Sequence, residues 1–254
     1  MLYDLNEPFL GGDKENDLDQ EDIDKIIAEK IREGFISKVY GIIVYQILLT
    51  SLIIYLGFVS TWFQEAILNS KLIFGLNIVI TITCLFLPLF SAKLLQKIPT
   101  NYIILTIFTL SFSCIVSMQT NKYTGKSVMS ALLLTLATVL TLTYYAWNTK
   151  KDFTVHSGTM LVCLVLLIFS SLIFLIVRIP LSNLVVMYGS LVLFCIYLIY
   201  DTQMLIGSRG KKFTEDDYIL AAISLYLDII VLFLHILKIF GENKNKNNNI
   251  KEEV

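Results

Sequence analysis

The chain has 254 residues, of which 56% are hydrophobic and only 16% charged, and its net charge at pH 7 is −1. Its mean hydropathy of +0.70 describes far more apolar surface than one soluble core can bury. Together these values exclude an ordinary soluble domain, and the neutral balance excludes a nucleic-acid partner.

Residues 1–37 carry eleven of the 21 acids and read as a polar cytosolic tail. From about Asp19 the apolar positions Ile23, Ile26, Ile27, Ile31 and Phe35 recur at helical spacing. That pattern predicts an amphipathic helix lying on the membrane and leading into the first span. A plain solvated lead-in is the alternative.

Uncharged runs follow at 39–64, 72–92, 98–121, 127–149 and 157–177. Two more, 179–206 and 218–237, are interrupted only by Asp201 and Asp228. Each approaches or exceeds the roughly 20 residues that cross a bilayer. The predicted fold class is therefore an all-α membrane protein with seven transmembrane helices over 38–240, followed by a polar, disordered tail over 241–254. The connections are short, so any chemistry is expected inside the membrane.

The first residues lack the basic and apolar regions of a secretory leader, and the first span is expected to act as its own signal. An amino terminus in the cytosol puts Lys25, Lys30, Arg32, Lys38, Lys93, Lys97, Lys150 and Lys151 inside and leaves Lys71, Lys122, Lys126 and Arg178 outside. The carboxyl tail, with Lys238 and Lys244, either lies outside or is brought back by one re-entrant segment. Cys84, Cys114, Cys163 and Cys195 lie in apolar runs at spacings that suit neither a zinc site nor a disulfide framework.

The candidate functional residues are the two intramembrane aspartates, because an ionised carboxylate in hydrocarbon is costly and marks function by default. Asp228 falls eleven residues into the seventh run, roughly 16 Å along a helix. Ala221, Ser224, Asp228 and His235 share one stripe of that helix. Asp201 lies toward the end of the sixth run, with Tyr197 one turn earlier as a hydrogen-bond donor. The short loop between the runs makes the two helices antiparallel neighbours, so the carboxyl groups can meet and share a proton. Protonated, such a pair latches the helices; deprotonated, it repels and attracts a cation. His235 alone reads as a packed or interfacial residue. Thr214, with Glu215, Asp216 and Asp217 behind it, reads as a helix cap.

Three stretches carry a family likeness: IREGFISKVYGIIVYQIL, AWNTKKDFTVHSG, and LFCIYLIYDTQMLIG with DDYILAAISLYLDIIVLFLHILKIFG. On these the chain resembles the Bax inhibitor family, in particular its lifeguard branch. The resemblance covers about residues 30–241. It implies a bundle with the last helix at its centre and a pH-controlled calcium leak across internal membranes, the endoplasmic reticulum or Golgi, together with suppression of cell death. It makes Asp201 and Asp228 the pH-sensing pair and transient calcium ligands, with Lys93 the nearest match to a basic latch partner. Implied partners are the lipid bilayer, calcium ions and Bcl-2-type cell-death regulators. No cofactor and no enzymatic activity are expected, calcium being the permeant ion. Relatives often have a glutamate in the third span, after a Phe-Thr-Leu stretch, where this chain has Phe112.

The alternatives are an intramembrane aspartyl protease and a proton-coupled transporter or receptor. The protease class needs Gly-x-Gly-Asp before its second aspartate, whereas Leu225, Tyr226 and Leu227 precede Asp228. A receptor would need its amino terminus outside, against the basic-residue count.

Overall fold

The computed structural model describes residues 12–163, 165–166, 180–207 and 213–244, with side-chain surroundings described for these except 12–19, 21, 88–93 and 180–186. It opens with α1, one unbroken helix over Gly12–Val59. Phe35, Val39, Ile42, Ile43, Gln46, Thr50 and Ile54 face inward at helical spacing. Ile23, Ile26, Ile27 and Ile31 repeat the same spacing but stay about half exposed. The amphipathic segment is thus continuous with the first span in one helix.

The first predicted run continues to residue 64, yet α1 stops at Val59. Ser60 takes an extended conformation and its side chain accepts from Phe63 N, which starts a new turn. The chain passes through the widened turn Gln64–Leu68 and enters α2, Lys71–Gln96, capped by Ser70. The short stretch Thr61–Leu68 and the helix Lys71–Leu87 that follows it form a pair bent by 69°.

Next come α3 (Thr100–Thr120) and α4 (Gly125–Asn148), then a tight turn, Thr154–His156. Helix α5 begins at 157 and is described to 163; most of the predicted run 157–177 lies outside the described residues. Helix α6 spans Pro180–Ile206 and ends at Gly207, whose φ of +68° only glycine adopts readily. Thr214 and Asp217 form a reciprocal capping box ahead of α7, Tyr218–Phe240.

Among the described residues, five helices are long and apolar enough to cross a bilayer, or six if the bent pair is one span. The chain is an all-α membrane protein. Helix α7 is the most buried of these spans and packs against α1, α2, α3, α4 and α6, so the last helix is the axis of the bundle.

Arg32 and residues 241–244 lie at opposite ends of that bundle. Phe213, just before α7, accepts through its carbonyl from Arg32 at 2.7 Å. Past the far end of α7, Lys244 N donates to Lys122 O at 3.0 Å and Thr124 N to Glu242 O at 3.1 Å. Residues 241–244 therefore sit beside the α3–α4 connection, away from Arg32.

Candidate functional site: a carboxyl pair between α6 and α7

The short α6–α7 connection makes these helices antiparallel neighbours, and their facing sides carry the two aspartates. Asp201 is 8% exposed and Asp228 4%. Their carboxyl groups are in hydrogen-bonding contact. Asp228 Oδ2 is buried without a hydrogen-bond partner. A bond between two carboxyl groups needs a proton between them, since two carboxylates offer acceptors only. In a site shielded from water, loss of that proton leaves two like charges that solvent does not screen.

Aromatic rings wall the pair. Tyr197 lies within electrostatic range of both aspartates, and Tyr200 of Asp201. The Tyr197 ring centroid is 6.0 Å from Phe194 and 6.4 Å from Tyr200. Tyr197 is therefore placed beside the pair, but no hydrogen bond joins it to Asp201 among the described residues. Ser224 is half-buried one turn before Asp228. His235 is not brought to the pair: its Nδ1 bonds to Val231 O at 2.7 Å and its ring lies 5.8 Å from Phe194. The Lys93 side chain lies outside the described residues.

Two side chains that the sequence does not single out fix the end of α6 below Asp201. Arg32, from α1, donates to Met204 O at 2.6 Å, Phe213 O at 2.7 Å and Ile206 O at 3.2 Å. Met204 O and Ile206 O belong to the last turn of α6, whose carbonyls lack intrahelical partners, and Phe213 O to the connection before α7; one guanidinium serves all three while opposing the α6 dipole. Gly207 makes the approach possible, because a Cβ there would lie 2.7 Å from the Arg32 guanidinium. Gln203, 1% exposed, donates to Lys151 O and accepts from Phe153 N, both at 2.9 Å. The end of α6 is thereby tied to α1 and to the connection after α4.

The opposite face of α7 is also polar, but neutral. Tyr226 OH and Thr50 Oγ1 are 2.7 Å apart. Thr50 Oγ1 spends its own proton on Gln46 O at 2.8 Å, so the tyrosine is the donor. Ser113 Oγ lies 2.8 Å from Thr50 Oγ1, and Gln46 Nε2 donates to Thr109 Oγ1 at 3.0 Å. These five residues are buried and join α1, α3 and α7. Phe112 closes the same face, its ring 5.9 Å from Phe108 and 6.0 Å from Tyr226. The four-residue spacing of Gln46/Thr50 and of Thr109/Ser113 was a readable signal that these polar groups share helix faces.

Fold and site together define a helical membrane protein whose central helix meets its neighbour through paired carboxyl groups. A family model described as "Inhibitor of apoptosis-promoting Bax1" matches residues 32–245, a span that begins on Arg32 and includes both aspartates. The chain is 39% identical over 222 residues to the BI1-like protein of Arabidopsis thaliana, covering 85% of this chain and 83% of that protein. It is 38% identical to Protein LIFEGUARD 4 of the same plant, over 84% and 86% of the two chains, and 39% identical to Protein LIFEGUARD 3, over 83% and 85%. The chain belongs to the Bax inhibitor family.

Proposed function

We propose that the protein is a pH-sensitive calcium leak pathway of an internal membrane, endoplasmic reticulum or Golgi, gated by Asp201 and Asp228, with its amino terminus in the cytosol. The observation that supports this reading most strongly is the meeting of two buried carboxyl groups, one of whose oxygens is unpartnered. With one proton shared, the carboxyl–carboxylate bond holds α6 against α7. Raising the pH removes that proton; two unscreened negative charges then push the helices apart and offer oxygen ligands to a cation. Calcium favours hard oxygen ligands and takes about 6–8 of them. Two carboxylates supply fewer than that, so the ion is passed on, not retained.

Arg32 and Gln203 anchor the end of α6 in this scheme, so separation at Asp201 bends the helix above a fixed foot. The leak sets the calcium available in the enclosed compartment; the family description, which names inhibition of apoptosis, supports a role in restraint of cell death, with Bcl-2-type regulators as partners in the same membrane. The protein acts as a regulator and not as an enzyme.

The test is reconstitution into liposomes loaded with a calcium dye. Protein-dependent leak should rise as the pH is raised. A leak equal to that of empty vesicles at every pH overturns the proposal. Cleavage of a transmembrane peptide, blocked by a transition-state analogue of peptide hydrolysis, would assign the pair to proteolysis.

A further inference from the structure

The end of the bundle away from Arg32 holds a second feature that the carboxyl pair does not involve. The widened turn after α1, the start of α2, the end of α3 and the first residues after α7 enclose a cleft of about 760 Å³. Lys71, Lys122 and Lys244 line it, and among the described residues no acid does. Glu65 and Glu242 occur in the same connections but are absent from the lining. Lys122 Nζ donates to the neutral Gln119 Oε1 at 2.8 Å, and Lys244 Nζ sits 4.5 Å above the Phe58 ring. Three lysines thus border one cleft, and the ammonium groups of Lys122 and Lys244 contact uncharged groups beside it.

Asn121 lines the same cleft, and both its Oδ1 and Nδ2 are shielded from solvent without a hydrogen-bond partner. A buried unpaired amide costs free energy unless something completes it. Gly57 permits the amide's position: a Cβ on that residue would lie 2.8 Å from Asn121 Nδ2. Leu68, Phe74 and Met118 add an apolar wall beside the charged group.

We propose that this cleft binds a phosphate-bearing anion among its three lysines. Lysine ammonium groups bind phosphate as point charges, and three of them match an anion carrying more than one negative charge. The apolar wall at the end of membrane-crossing helices suits a phospholipid headgroup whose chain continues alongside; free phosphate presents the same chemistry.

The experiment uses the full chain purified in detergent. Native mass spectrometry measures retention of phosphatidic acid against phosphatidylcholine, and thermal unfolding is followed with inorganic phosphate against chloride at matched ionic strength. Wild type should retain phosphatidic acid roughly tenfold better than phosphatidylcholine. Lys122→Gln with Lys244→Gln should erase that preference. So should Asn121→Asp, which keeps the shape and puts a carboxylate in the cleft. Lys150→Gln with Lys151→Gln, at the other end of the bundle, should leave it intact. Preference for the lipid without protection by phosphate assigns a headgroup site, and protection that the same variants abolish assigns a free anion. Equal retention of both lipids with no phosphate protection overturns the proposal, as does an equal loss in the Lys150/Lys151 control.

Discussion

Asp228 and Tyr226 lie two residues apart on α7 and point to opposite sides of it, and their surroundings differ in one decisive respect. Tyr226 is fully buried and spends its hydroxyl on Thr50, within a network that joins α1 and α3 to the central helix. Among the described residues, Gln46 Oε1 is the one oxygen of that network without a hydrogen-bond partner. Asp228 is nearly as buried, yet it meets another acid and keeps an oxygen without a partner. A neutral network that is almost satisfied has one preferred arrangement and holds helices together. A pair of acids has two arrangements, selected by a proton. One side of α7 is built to stay and the other to change.

The largest effect expected from breaking this contrast comes from the acids. Asparagine for Asp201 or Asp228 keeps a hydrogen-bonding side chain without a titrating charge, so either variant should abolish the pH dependence of calcium leak from liposomes. Tyr226→Phe should leave that dependence unchanged. Next is Arg32→Ala, which strips three backbone carbonyls of a charged donor. It should lower stability by about 3 kcal/mol in thermal unfolding and raise the leak at every pH, because the end of α6 is no longer held. Arg32→Lys, lacking the fork that reaches several carbonyls, should fall between. Gly57→Ala follows, since the new Cβ meets Asn121 and Ser117 where α1 and α3 approach; overpacking of this kind costs about 1–3 kcal/mol. The smallest effect is Tyr226→Phe itself, about 0.6–1 kcal/mol for one interhelical hydrogen bond in a membrane. A Thr50→Val, Tyr226→Phe double-mutant cycle should show coupling that neither residue shows with Asp201.

Much of this was legible in the sequence because hydrocarbon punishes charge. Asp201 and Asp228 interrupt uncharged runs, and the short connection between those runs makes them neighbours before any coordinates are known. The same signal misplaces the end of the first span: residues 60–64 carry no charge, so nothing in hydropathy marks the break that Ser60 introduces by capping a new turn. Arg32 is invisible for a different reason. It sits among other charges in an amphipathic lead-in, and its partners are backbone carbonyls more than 170 residues away. Side-chain patterns cannot reveal an acceptor that every residue possesses. Gln203 hides in the same way, bonded to the backbone of Lys151 and Phe153. Tyr197 illustrates the limit of spacing alone: one turn before Asp201 puts it beside the carboxyl without giving it a hydrogen bond.

The proton shared by Asp201 and Asp228 can be observed directly. Infrared difference spectra of the protein in lipid, recorded as the pH is raised, should show loss of a protonated carboxyl C=O stretch together with gain of carboxylate bands, and both Asp201→Asn and Asp228→Asn should lack that change. A wild-type spectrum with no such exchange, or one that either variant reproduces in full, would contradict the latch.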